Sequence, residues 1–154
     1  MKNARELVDT YGDMIYRISF VSLKNHADAE DAVQEVFLKY FTRAPDFKSD
    51  EHEKYWLVTV TVNHCKNMIR IRRAIPTDPE LLHYPDDAHE DNAVLDALMQ
   101  VPEKFRIVLT LHYVYGYKIN EIAGMIKKTS SAVKMRLSKG KKILADIYRK
   151  EYLP

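Results

Sequence analysis

Residues 74–91, AIPTDPELLHYPDDAHED, cut the chain in two: three prolines and six acids, with no Lys or Arg among them. Proline lacks an amide donor and restrains the residue before it, so a helix has to stop where the first of them falls. Apart from the pair Leu81–Leu82 the stretch has no helical period. It is expected to be an acidic, Pro-containing linker between two small domains, at 1–73 and 92–154. A chain of 154 residues accommodates such a pair.

Composition narrows the class. Hydrophobic residues at 46% and charged residues at 30% fit a globular protein and exclude a wholly disordered one. Only four glycines argue against β-sandwich and glycine-loop designs. No apolar run approaches the roughly 18 residues that cross a bilayer, so no membrane insertion is expected. The opening MKNARELVDTYGD carries charges where a signal peptide needs an apolar core, which points to the cytoplasm. A single cysteine, Cys65, rules out a disulfide framework and any multi-cysteine metal site.

Both halves read as all-α. Leu7, Tyr11, Ile15 and Ile18 form one helical stripe, and Ala29, Val33, Val36, Phe37, Tyr40 and Phe41 form a second. Asp28 is expected to cap the second helix, with Pro45 just past its end. Its opposite face is polar: Glu30, Asp31, Gln34, Glu35 and Lys39. The stretch 55–73, YWLVTVTVNHCKNMIRIRR, favours a strand by propensity. At about 100° per residue, however, Val58, Val62, Cys65 and Ile69 fall on one arc and Thr59, Asn63, Lys66, Arg70 and Arg73 on another. A strand would scatter those polar groups over both faces, so the helix is preferred. After the linker, Asn92 is expected to cap a helix through Gln100. Pro102 should open another that runs to Tyr115, with Gly116 as its C-terminal glycine. Helices at 118–126 and 130–150 follow, and the short break at Lys127, Lys128 and Thr129 makes them a helix-turn-helix candidate.

Charge is unevenly spread. Residues 92–154 carry twelve Lys/Arg and five Asp/Glu, a net of +7. Two readings stay open: a surface that meets a polyanion, or a solvated basic helix. In the last helix Val133, Leu137, Gly140, Leu144 and Ile147 share one side, while Ser131, Lys134, Met135, Ser138 and Lys142 share the other. A recognition helix needs this division, an apolar back on a scaffold and a polar front for the major groove. Its lysines suit phosphates, and Ser and Lys near its start suit base edges. Trp56 and Phe47 are candidates for a stacking platform or for the core. The six histidines show no HExxH or other ligand spacing, and no glycine-rich phosphate loop exists. His64 beside Cys65 is not a nucleophile–base pair, because neighbouring helical side chains diverge. No enzyme, metal, cofactor or small-molecule substrate is expected.

Four segments in order, DAEDAVQEVFLKYF (28–41), YWLVTVTVN (55–63), VPEKFRIVLTLHYVYGYKINEIAGMI (101–126) and AVKMRL (132–137), resemble an extracytoplasmic-function sigma factor of the sigma-70 family. The resemblance covers nearly all of the chain outside the linker. It implies a region 2 helical bundle and a region 4 helix-turn-helix, in a dissociable, non-catalytic subunit that starts transcription. In such a subunit Asp31, Gln34 and Glu35 contact the clamp helices of the largest polymerase subunit, and region 4 meets the flap. Phe47, Trp56 and Asn63 lie in or beside the pocket for a flipped −10 base, with Lys66, Arg70 and Arg73 along the phosphates. Ser131, Lys134, Met135, Ser138 and Lys139 read the −35 element, and Arg136 contacts backbone or braces the helix. The implied partners are core RNA polymerase, promoter DNA and an anti-sigma factor. Four positions depart from the family pattern: Lys118 for a Ser/Thr cap, Lys127 for a turn glycine, Thr61 for alanine, and Gly140 within the recognition helix. A free-standing helix-turn-helix regulator would have no use for the first two segments. A sigma-like adaptor would not need Phe47, Trp56 and Asn63.

Overall fold

The computed structural model describes residues 1–74 and 93–152. It is all-α, with no strand among the described residues. Two compact units, Met1–Tyr84 and Pro85–Pro154, divide the chain. The expected linker at 74–91 and the cap Asn92 lie outside the described residues, except Ala74, which closes the last helix of the first unit.

The first unit packs α1 (Ala4–Leu23), α2 (His26–Arg43) and α3 (Asp50–Ala74) around one core. Asn3 caps α1 by accepting from the Glu6 amide at 2.9 Å, which satisfies one of the orphan donors of a helix start. Lys24, at φ 56°, stops the helix in the left-handed region. Asn25 then caps α2 through the Asp28 amide at 2.9 Å. Asp28 is therefore not the cap. It lies inside the first turn, and its carboxylate pairs with Arg72 of α3 instead. α2 ends at extended Ala44, as the following Pro45 requires.

α3 is helical despite its β-branched residues. Thr59 and Thr61 donate to the carbonyls of Tyr55 and Leu57, four residues back, at 2.8 and 2.7 Å. That removes the cost of Thr61's complete burial. Asp50, Glu51 and Glu53 in the first turn and Arg72 and Arg73 in the last complement the helix dipole. Leu7, Tyr11, Ile15, Val36, Tyr40 and Leu57 form the main core cluster, with Phe47 and Trp56 packed against it. Full burial of each aliphatic member contributes about 1.5–3 kcal/mol. Cys65 belongs to a second cluster with Leu23 and Ala32, and burial pushes its thiol up to about 11. It is a small neutral core residue.

Phe41 departs from the expected stripe: it is 46% exposed. At about 100° per residue it lies a full 100° round α2 from Tyr40, at the edge of the buried arc.

The second unit contains α4 (Ala93–Gln100), α5 (Glu103–Leu109), α6 (Ile119–Ile126) and α7 (Ser130–Tyr152). Pro102 is the residue before α5 rather than in its first turn. The helix expected to continue to Tyr115 changes pitch, because Thr110–Val114 form a π-helical turn. The Tyr115 amide reaches the Thr110 carbonyl at 3.2 Å, and Gly116 follows at φ 74°. The wider turn keeps Leu111 buried and leaves Tyr113 and Val114 exposed. α7 crosses α5 so closely that a Cβ on Gly140 would stand 3.0 Å from the Phe105 Cβ and 3.2 Å from Leu109 Cδ1. The interior glycine costs about 1 kcal/mol of propensity, and this close approach is what it permits.

Candidate nucleic-acid interface

In the second unit the turn between α6 and α7 is built without glycine. Lys127 takes the left-handed conformation at φ 56°, and the Lys128 amide bonds the Ala123 carbonyl at 3.1 Å. Thr129 Oγ1 accepts from the Ala132 amide at 3.1 Å and so caps α7. Lys118 offers no side-chain cap to α6, but Glu121 reaches back to accept from the Lys118 amide at 2.9 Å. Glu121, three residues after Lys118, was the readable signal for that repair.

These ends fix the roll of α7. Val133, Leu137 and Gly140 are buried, whereas Ser131, Lys134, Met135 and Ser138 are exposed, Met135 by 66%. At about 100° per residue these four and Lys142 lie within roughly 100° of arc. Lys139 is off that front, with its ammonium 5.6 Å from the centre of the Phe105 ring. Arg136 is half-buried on the flank.

In the first unit, Asp31 and Gln34 are exposed on α2 and Glu35 is half-buried. The same face carries Leu38, 58% exposed, and Phe41. Sequence reasoning missed both; the available signal was that Leu38 is apolar but off the buried stripe. An acidic and amide face edged by two exposed apolar groups suits a protein partner better than a polyanion.

α3 presents the other surface. Trp56 and Asn63 are half-buried, and Lys66, Arg70 and Arg73 are exposed. On the helical wheel all five fall within roughly 100° of arc, over about 25 Å of axis. Arg72 lies on the opposite side, where burial lowers its pKa and Asp28 pairs with it. Arg70 donates to Asn67 Oδ1 at 2.7 Å, which leaves its guanidinium at the surface.

At the N-terminal end of this arc is an aromatic cluster. Phe47, in the loop between α2 and α3, stacks on Tyr40 at 6.0 Å and 17° and meets Trp56 edge-on at 5.7 Å. Phe47 also borders a cavity of about 460 Å³ with Pro45, Lys48, Lys2 and Glu53. The cleft is open and its lining is mostly charged and polar, with Phe47 its one aromatic ring. Trp56 and Asn63 do not line it.

Beneath the cavity is a polar cluster that sequence reasoning did not find. Glu53, 5% exposed, accepts from Lys2 Nζ and from the Tyr40 hydroxyl, both at 2.8 Å. Burial pushes the Glu53 carboxyl up, but the donors Lys2, Tyr40 and Tyr11 outweigh it and hold it below the usual carboxylate range. Burial and the Glu53 charge push the Tyr11 hydroxyl up to about 12. Glu53 sits in a polar first turn, and nothing in its spacing marked it for the interior. No cluster of three or more His, Cys, Asp or Glu suited to a metal ion occurs among the described residues.

Known proteins resemble this arrangement over both units. Residues 7–75 match the family described as Sigma-70 region 2, and residues 91–144 match Sigma-70, region 4. The ECF RNA polymerase sigma factor SigE of Mycolicibacterium smegmatis is 29% identical over 94% of this chain, which spans 61% of that protein's length. RNA polymerase sigma factor SigV of Bacillus subtilis is 27% identical over 90% of the chain and 86% of its own length. Among solved structures, the sigma factor RpoE in complex with the anti-sigma factor NepR, from Bartonella quintana, superposes with a TM-score of 0.75. That match covers 98% of this chain and 99% of RpoE, at 17% identity. CnrH, in complex with the cytosolic domain of CnrY, gives 0.71 at 20% identity over 97% of this chain and 91% of its own. These two likenesses concern the fold.

Proposed function

The chain belongs to the sigma-70 family, in its extracytoplasmic-function class, and we propose that its two units divide promoter recognition between duplex reading and strand opening. Sigma factors are specificity subunits of RNA polymerase and have no catalytic site of their own. Residues 1–73 are assigned to core binding and the −10 element, and residues 92–154 to the −35 element. Asp31, Gln34 and Glu35, extended by Leu38 and Phe41, dock on polymerase. Phe47, Trp56, Asn63, Lys66, Arg70 and Arg73 hold the opened −10 strand. Ser131, Lys134, Met135 and Ser138 read the −35 duplex, with Lys139 and Arg136 toward its backbone.

The observation that carries this reading is the arc of α3. It starts at an aromatic cluster beside a cavity and continues through an amide into three cations. An extruded base needs stacking and edge hydrogen bonds, and the strand that follows needs its phosphates neutralised. α7, by contrast, offers a short polar front with no aromatic, the form suited to a closed major groove.

RpoE was solved with the anti-sigma factor NepR, and we extend that kind of partner to this chain. No described helix is long and apolar enough to cross a membrane. Action with the polymerase places the chain in the cytoplasm.

Run-off transcription with purified core polymerase on genomic fragments tests the assignment. Asn63→Ala should damage opening more than closed-complex binding. Lys134→Ala should weaken duplex binding and reduce its salt dependence. A purified chain that ignores core polymerase, or joins it and never starts a transcript, overturns the reading.

A further inference from the structure

Glu53 is the one buried acid among the described residues. A carboxylate in an apolar core is unfavourable unless it is paired and hydrogen-bonded, and here Lys2, Tyr40 and Tyr11 donate to it. Replacing such a buried ionic set by apolar groups is often neutral or stabilising, so stability alone is a poor account of it.

Geometry offers a better one. The Tyr40 hydroxyl is held from two sides: it donates to Glu53 Oε2 at 2.8 Å and accepts from the Lys2 backbone amide at 3.0 Å. The ring thus fixed is the surface on which Phe47 stacks and which Trp56 meets edge-on at 6.3 Å. The loop carrying Phe47 is also tied to the start of α3. His52 Nδ1 accepts from the Lys48 amide at 3.2 Å, and Ser49 Oγ accepts from the His52 amide at 3.1 Å. The His52 ring also meets Phe47 edge-on at 5.3 Å, so Phe47 stands between His52, Trp56 and Tyr40. Lys2, Glu53 and Phe47 also line the same cavity.

We infer that Glu53, clamped by Lys2, is a positioning residue for promoter opening: it fixes the Tyr40 hydroxyl, and through the Tyr40 ring it supports the stacked face of Phe47 at the cavity. This rests on the reading above that the first unit opens the strands there. Glu53 itself touches no DNA. It acts through Tyr40, and its removal loosens that support without emptying the core.

The test uses the full chain with core polymerase and a promoter fragment on which the wild type initiates. Glu53→Leu, Glu53→Gln and Lys2→Met are compared for thermal midpoint, core binding, duplex binding and opening rate. All three should bind core and duplex normally and open the promoter roughly tenfold more slowly. The two Glu53 variants, which remove the buried charge, should melt within a few degrees of wild type, whereas Lys2→Met leaves that charge uncompensated and should melt lower. A template with a pre-opened mismatched −10 segment should restore most of the rate. Fluorescence of Trp56, the only tryptophan of the chain, should shift as the cluster loosens. Opening rates within about twofold of wild type would overturn the inference. So would a loss that merely follows lost core binding or a lowered melting point in all three variants. A wild-type chain that opens no promoter sinks the underlying reading, an outcome distinct from variants that match an active wild type.

Discussion

The two units place their DNA-facing chemistry differently. In the first, Phe47 and Trp56 lie half-buried against the core cluster, so the same rings stabilise the unit and form its stacking surface, with Phe47 bordering the cavity. In the second, Ser131, Lys134, Met135 and Ser138 project from α7 while Val133, Leu137 and Gly140 are buried on its other side. Opening a duplex requires a surface that replaces base stacking, and aromatic surface is costly to leave in water. Reading a closed groove requires only polar tips, which water tolerates. Substitutions of the stacking rings should therefore change fold and function together in the first unit, whereas substitutions of the polar front should change function alone in the second.

The largest expected effect tests that coupling. Trp56→Ala should lower the stability of the first unit by about 2–3 kcal/mol and impair opening, read by circular dichroism melts and by transcription. Normal stability with lost opening would break the comparison. Next, Gly140→Val presses a branched side chain into Phe105 and Leu109 and should destabilise the second unit by about 2 kcal/mol. Trp56 fluorescence, which reports the first unit alone, should keep its melting point.

A pH effect confined to the first unit comes third. The folded pKa of Glu53 is depressed, so its contribution is complete above the unfolded carboxylate value, about 4.3, and is lost as pH falls through the lower folded value. Glu53→Gln should flatten that acid-side dependence of the Trp56 transition, and identical acid profiles would refute the assignment. The smallest structural effect belongs to Lys134→Ala, within about 0.5 kcal/mol of wild-type stability. Its cost should appear in duplex binding, with the slope of log affinity against log salt falling by about one. A clear loss of melting temperature there would erase the distinction between the units.

Where one residue type decides the geometry, the amino-acid order was readable. α3 could be recognised against its strand propensity because period sorts its chemistry, and the threonine back-bonds show how the helix tolerates those residues. The buried sides of α1 and α7 followed from spacing in the same way. Asp28 was misjudged as a cap because Asn25 and Asp28 have equivalent chemistry, and only the fold brings Arg72 near the second. The π-helical turn at Thr110–Val114 has no local signature, since it is set by what Leu111 must reach. Glu53 was hidden for a related reason: its partners come from residues 2, 11 and 40, far along the chain.

Lys24 and Lys127 reverse the backbone at the ends of α1 and α6, one in each unit, at the same φ of 56°. An L-residue with a Cβ is strained in that conformation by about 1 kcal/mol or more. Neither position belongs to the surfaces assigned to polymerase or promoter. Lys127 is therefore open to glycine, which would relieve that strain beside α7 without altering what the protein reads.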